Sequence, residues 1–199
     1  MPHRIRSVVA AIALCILAVT IDRSAPAEAP QDIASQPAAG DNDELRRQYA
    51  EDQADRNPIL PPDQLIPRDR SRRRRVKELF AADGLRTAND YYYSAMILQH
   101  GEGPEDFLLA HELCVAAMAT GRIDPKTRWL AAASEDRFLM SIGRPQRFGT
   151  QFHSEGAAPV RLYTVSDDVT DGFRRLMAVP TLAEAKAREA EINKQLRKE

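Results

Sequence analysis

Apolar residues recur every three or four positions along most of the chain after residue 70, a spacing typical of helices with one buried face. Capping residues, first-turn prolines and terminal glycines separate one such segment from the next. These signals predict helices at 71–82, 89–100, 104–120 and 125–143, a short one from Asp167 or Asp168 to 178, and a last one starting at Thr181.

Two stretches depart from this pattern. Residues 41–56 favour a helix but are strongly charged, and Pro61, Pro62 and Pro67 predict an extended segment that links elements rather than forming core. Glycine and proline break up residues 146–165, where only 160–165 is typical of a strand. We therefore predict an all-α fold: a compact multi-helix domain at 41–199 with one irregular loop and at most a short strand pair.

The N-terminus has the order of a signal peptide. Positive residues at 3–6 precede an uncharged run at 7–21, and Ala25 and Ala27 have the small-x-small spacing of a cleavage site. The uncharged run is shorter than the ~20 residues that a membrane-spanning helix needs. We predict a signal peptide at 1–27 and hence an exported, periplasmic protein with no stable membrane span after cleavage. Leu14 before Cys15 disfavours a lipoprotein.

The segment after the signal peptide, the net charge and the cysteine content give further expectations about the mature chain. Residues 28–40, rich in Ala, Pro, Gln and Ser, predict a flexible tether. Cleavage after residue 27 changes the net charge from −1 to −3 by removing three arginines and one aspartate, so we expect no nucleic-acid partner. It also leaves Cys114 as the one cysteine, without an internal disulfide. We expect Cys114 to be a small core residue rather than a nucleophile, although His111 lies one helical turn away.

Three polar residues fall on apolar helix stripes, where burial is costly unless a partner satisfies them. They are His100, His111 and Asp136. We hypothesise that they meet in one pocket with Arg137, Gln146 and Gln151. If the pocket is catalytic, one histidine would be the general base, Asp136 would orient it, and Arg137 or an amide would stabilise negative charge. In the simpler alternatives each histidine bonds a backbone carbonyl, and Asp136 belongs to a buried ion pair.

Two other groups of residues give weaker indications of function. Three histidines, at 100, 111 and 153, could in principle hold zinc, but Val115 stands where the zinc-protease motif starting at His111 needs its second histidine, so we predict no metal and no cofactor. The basic run Arg68, Arg70 and Arg72 to Arg75 predicts either a solvated helix face or a surface for an anionic partner.

The densest local signal is the loop at 143–151. Gln146 and Gln151 can donate and accept hydrogen bonds, and Gly149 permits close approach of the backbone. With Gln99 and Thr150 they are our candidate ligand-binding residues. The alternative is a structural loop whose amides satisfy helix-end carbonyls.

Four features together resemble a bacterial family of unknown function marked by a Gln-x-Tyr/Phe-Gly-Thr-Gln signature. They are Gln99-His100-Gly101, the inward His111, Asp136-Arg137 and Gln146-x-Phe148-Gly149-Thr150-Gln151, with phenylalanine where many members have tyrosine. The resemblance covers roughly 52–191 and implies a shared fold and pocket without implying a reaction.

The functional hypothesis is an exported helical domain whose polar pocket binds or hydrolyses a small polar or peptide-like ligand. The alternative is a non-catalytic envelope protein that docks an anionic surface or partner through its arginine run. Whether the protein is an enzyme, and in which oligomeric state it acts, stay open at this point.

Overall fold

The computed structural model describes residues 40–154 and 158–197, so the signal peptide and all but the last residue of the tether lie outside the described residues. Within this part the chain forms helices joined by short connections and one antiparallel strand pair. The helices are α1 Asp43–Ala54, α2 Pro62–Ala81, α3 Ala88–Leu98, α4 Pro104–Ala119, α5 Pro125–Ser141, α6 Asp171–Leu176 and α7 Leu182–Leu196; the strands are β1 Phe152–His153 and β2 Arg161–Leu162. The predicted all-α class is confirmed.

Side-chain caps explain where several helices begin. The Thr181 hydroxyl accepts the backbone N–H of Glu184 and the Glu184 carboxylate accepts that of Thr181, which is the capping box predicted for α7. A second capping box starts α3 at Thr87 rather than at the predicted Asn89. Likewise Thr170, not Asp167 or Asp168, caps α6. In both corrections a threonine that bonds the helix's third N–H takes the place of the candidate cap predicted nearby.

The proline-rich segment is helical, which corrects the predicted extended linker. Pro61 is the N-cap of α2, Pro62 is its first residue, and Pro67 lies inside the helix. The fixed φ of proline suits a first helical position, where no N–H is needed. Pro67 deprives only the Asp63 carbonyl of its helical partner, close to the helix start. The segment around α1 also reaches the core, because Leu45 is fully buried there.

The main core lies among α3, α4 and α5, with α1 and α2 packed against it. Its fully buried members include Leu45, Val76, Leu98 and Leu130, and Cys114 is buried among them. A smaller cluster of Ala132, Phe148, Val169 and Val179 fastens the irregular region to α5. The two clusters therefore meet α5 at neighbouring positions, Ala131 and Ala132.

The basic run of α2 faces inward in part, which corrects the solvated-face interpretation for Arg72 and Arg73, each 6% exposed. Arg72 contacts Asp55 and, at 3.1 Å, Asp69. Arg73 donates to the His100 carbonyl at 2.8 Å. We call the following set of ion-paired residues the arginine–aspartate cluster: Asp52, Asp55, Arg56, Arg68, Asp69 and Arg72.

No helix among residues 40–154 and 158–197 is both long enough and apolar enough to span a bilayer.

Replacing Arg72 with methionine will lower the free energy of unfolding by roughly 3 to 5 kcal/mol, because it leaves buried carboxylates short of a partner. Arg74→Met is the matched control, since Arg74 is 75% exposed and its loss is expected to change stability by less than about 0.5 kcal/mol. Urea unfolding of the two variants compares them. Equal losses would show that the cluster has no special part in stability.

Candidate functional site

The Asp136 carboxylate holds the irregular loop against α5. One oxygen accepts the backbone N–H groups of Arg147 at 2.7 Å and Phe148 at 2.9 Å. The other accepts the Thr150 N–H at 3.0 Å and its hydroxyl at 2.7 Å. Asp136 is fully buried, and its hydrogen-bond partners in the described residues include neither histidine. It positions the loop rather than an imidazole, and Arg137 is not its ion-pair partner.

Burial raises the pKa of Asp136 above its ordinary value, and the four hydrogen bonds from Phe148, Thr150 and Arg147 act in the opposite direction. A buried carboxylate is costly unless donors surround it. Here the donors are mostly backbone N–H groups, those of Arg147, Phe148 and Thr150, which have no backbone acceptor among the described residues. The carboxylate and the loop therefore satisfy each other.

Gln146 closes the loop from inside and is fully buried. Its side-chain NH₂ donates to the carbonyls of Gln151 at 3.1 Å and Tyr163 at 3.0 Å, while its side-chain oxygen accepts the Gln151 N–H at 2.9 Å. One of its donors is thus used within the loop and the other on the segment after β2. Gln146 therefore fits the alternative of a structural loop, although its partners are loop and strand-edge groups rather than helix-end carbonyls.

The residues between the two glutamines have local roles as well. Phe148 is 1% exposed, and its ring centroid lies 5.9 Å from that of Phe173. Gly149 has φ +82°, a left-handed conformation that glycine adopts without strain. Thr150 bonds Asp136 with both its N–H and its hydroxyl.

Arg137 connects this loop to the end of α3. Its Nε donates to the Gln151 side-chain oxygen at 3.1 Å, and its Nη1 donates to the Gln99 carbonyl at 2.5 Å. Gln151 in turn donates to the Thr150 hydroxyl at 2.8 Å. Burial, and next the charge of Arg56, lower the pKa of Arg137 below its usual range. Both bonding partners of this guanidinium are neutral.

His100 lies at the other end of the same network. Its Nε2 is 3.5 Å from the Gln99 side-chain nitrogen and 3.8 Å from an Asp52 carboxylate oxygen. Burial lowers the pKa of His100 to about 3, aided by the positive charges of Arg56 and Arg137 and of two other arginines. Burial likewise raises the pKa of Asp52 to about 6, against the effect of Arg56. The imidazole is therefore neutral near pH 7.

His111 stands outside this network. Its Nδ1 lies 2.9 Å from the Ala131 carbonyl oxygen across the α4–α5 interface, so Nδ1 carries the proton and donates. That is the simpler alternative raised for each histidine. Cys114, one turn further along α4, is buried, and its burial raises the pKa of the thiol to about 12. A thiol so protonated is inert as a nucleophile.

A cavity of about 540 Å³ opens beside Arg137, between α4, the end of α5 and the segment around β2. Of the predicted site residues, Arg137 alone belongs to its lining. The lining is Phe107, Arg137, Met140, Ser141, Gly143, Arg144, Pro145, Tyr163 and Thr164. Phe107 and Met140 do lie on the apolar stripes of their helices, but a stripe does not distinguish a core side chain from a cavity wall. Arg144 lies in the loop at 143–151 and Tyr163 in the predicted strand at 160–165, but nothing in the sequence marked either residue as part of a site.

The contacts thus bring together Gln99, His100, Arg137, Thr150 and Gln151, with Asp136 and Gln146 as their structural support. In residues 40–154 and 158–197, no group of three or more His, Cys, Asp or Glu side chains is placed to hold a metal ion. Compared with protein-family models, curated proteins and solved structures, the chain gives no match.

Asp136→Asn will destabilise the protein by about 3 kcal/mol. The asparagine NH₂ would face groups that are themselves donors, and the charge that orders the loop would be lost. Asp168→Asn is the control, because Asp168 is half exposed and pairs with Arg147 at 3.4 Å. Urea unfolding measures both. A loss in the Asp136 variant no greater than in the control would refute the role given to Asp136.

His100 will make the protein less stable in acid. Its folded pKa of about 3 lies below the ordinary 6.5, so the unfolded chain takes up a proton that the folded chain does not, and stability is lost as the pH falls through about 6.5. Between about pH 7 and pH 5 the wild type should lose about 2 kcal/mol more than His100→Gln. Asp52, with its pKa raised to about 6, favours the folded state in acid, but it titrates in both proteins. Parallel unfolding free energies against pH would contradict this assignment.

Proposed function

We propose that this domain binds a small ligand in the cavity beside Arg137, and that the guanidinium group anchors the ligand's polar end. The observation that carries the proposal is the incomplete bonding of Arg137. Nε and Nη1 are held by Gln151 and Gln99. Within the described residues, Nη2 makes no hydrogen bond, and no carboxylate lies within ion-pair distance of the side chain.

Arg174 shows what a structural arginine looks like in the same fold. It is 3% exposed, and all three of its nitrogens donate, to the carbonyls of Phe148, Val169 and Arg147, with Asp171 as its ion-pair partner at 3.2 Å. Arg137 is fixed by two bonds in a defined orientation and keeps one nitrogen for something else. Preorganised donors of this kind are typical of binding sites.

Binding is favoured over hydrolysis by the composition of the cavity wall. Neither an imidazole nor a carboxylate belongs to the described lining, and the Ser141 hydroxyl donates to the Phe138 carbonyl at 2.6 Å. A nucleophile needs an adjacent base to act at neutral pH. The domain is therefore proposed as a binding protein, and its export rests on the signal peptide predicted at 1–27.

Membership in the family with the Gln-x-Tyr/Phe-Gly-Thr-Gln signature is part of the proposal. Its support is that each signature residue has a definite structural role. Gln146 closes the loop, Phe148 fills the small core cluster, and Gly149 turns the backbone. Thr150 bonds Asp136, and Gln151 holds Arg137. The docking alternative is not advanced, because the buried arginines of the basic run already pair with acidic residues.

Replacing Arg137 with methionine will weaken binding of cavity ligands by at least about tenfold, since a charge-assisted hydrogen bond contributes about 1.5 to 3 kcal/mol. Ligands are first identified with the purified chain by screening a fragment library with ligand-observed NMR. Arg128→Met is the matched control: Arg128 is on the same helix and also donates to a backbone carbonyl, that of Leu176, but does not line the cavity. Unchanged affinity in the Arg137 variant would overturn the proposal.

A further inference from the structure

The charges on the cavity wall are of one sign. Arg137 and Arg144 are the charged residues of its described lining. Neither makes an ion pair in residues 40–154 and 158–197, although arginines elsewhere in the fold pair repeatedly. A concave surface with one sign of charge concentrates ligands of the opposite sign.

Among the described residues, Arg137 has no counter-charge within ion-pair distance. Its two acceptors are the uncharged Gln99 carbonyl and the Gln151 amide, and Arg56 is close enough to repel it. The three aspartates of the arginine–aspartate cluster are engaged by Arg56, Arg68 and Arg72. Even a partly buried charge without a partner of opposite sign is costly. An anionic ligand would supply the partner that the described part of the chain does not provide.

The other residues of the cavity wall limit the chemical nature of the rest of the anionic ligand. Phe107, Met140, Pro145 and the Tyr163 ring present mostly carbon to the cavity. Its volume of about 540 Å³ lies in the range of small-molecule sites. Among the described residues, Arg137 offers one free guanidinium nitrogen and Arg144 is an exposed arginine at the mouth. This set of donors matches a carboxylate better than a phosphate dianion, which calls for more donors.

We infer, resting on the function proposed above, that the ligand is an amphipathic monocarboxylate. Its carboxylate pairs with Arg137, and Arg144 attracts it at the mouth. Its apolar body lies against Phe107, Met140 and Tyr163. The loop that Asp136 holds keeps the Gln151 amide in place. This amide in turn holds the guanidinium in position for the contact.

The test titrates the purified chain by calorimetry with compounds that share an apolar body and differ in their head group. Octanoate and phenylbutyrate are compared with their primary amides, with octylammonium and with octyl phosphate. We expect a carboxylate to bind about tenfold to a hundredfold more tightly than its amide, as loss of one charge-assisted bond implies. Octylammonium should bind more weakly still.

Three variants separate the outcomes. Arg137→Met should reduce carboxylate affinity to that of the amide and leave the amide unchanged, Arg128→Met should behave as wild type, and Met140→Trp should fill the cavity and abolish all binding. Three results would each overturn the carboxylate assignment alone. They are equal affinity for carboxylate and amide, tighter binding of octyl phosphate, and no binding of either carboxylate while library fragments still bind the cavity. Absence of any Met140→Trp-sensitive ligand, from the series or the library, would overturn the proposed function itself.

Discussion

The acceptance of four hydrogen bonds by one buried carboxylate is the constraint on which the rest of the site depends. Residues 146–151 have no regular partners along most of their length, and burying their N–H groups would be prohibitive without acceptors. Asp136 supplies these acceptors from a rigid helix. Because successive helical residues point about 100° apart, Asp136 faces the loop while Arg137 faces Gln99 and the cavity. One helix turn thus fixes both the loop and the guanidinium.

The two glutamines of the signature differ in what they do with the same functional group. Gln146 uses its amide to imitate a backbone unit, exchanging hydrogen bonds with the N–H and carbonyl of Gln151. Gln151 uses its amide as a bridge, accepting from Arg137 and donating to the Thr150 hydroxyl. The bridge joins Arg137 to Asp136 through Thr150. The spacing in the signature is therefore that of a closed hydrogen-bonded loop with one side chain directed outward to the guanidinium.

Helical periodicity and capping residues were enough to predict the fold class and most helices, because both signals are local. They also placed His111, Asp136 and His100 at least partly inside, as the structure has them. These local signals could not identify the hydrogen-bond or ion-pair partner of each side chain. A stripe shows that a side chain faces inward but not that it meets the Ala131 carbonyl, a loop, or an aspartate 48 residues away in sequence. The same limit hid the cavity and the buried state of Arg72, whose partner Asp55 belongs to another segment. Pro62 was misjudged because the same residue favours both extended chain and a helix start.

Two arginines of this domain, the buried Arg174 and the half-buried Arg137, differ in how fully the fold satisfies their hydrogen-bonding capacity. Arg174 has every nitrogen bonded and an aspartate beside it. In the part of the chain that the structure describes, Arg137 has two neutral acceptors, Arg56 as a repelling neighbour, and one nitrogen without a hydrogen bond. Because the fold provides an acceptor for every nitrogen of Arg174, the smaller number of acceptors at Arg137 does not reflect a general shortage of acceptors. Departures from a local rule of stability are expected at functional sites. An uncompensated charge costs the folded protein free energy that a ligand of opposite charge would return on binding. On the function proposed above, the lack of a counter-charge at Arg137 among the described residues would be the physical basis of selectivity for an anion.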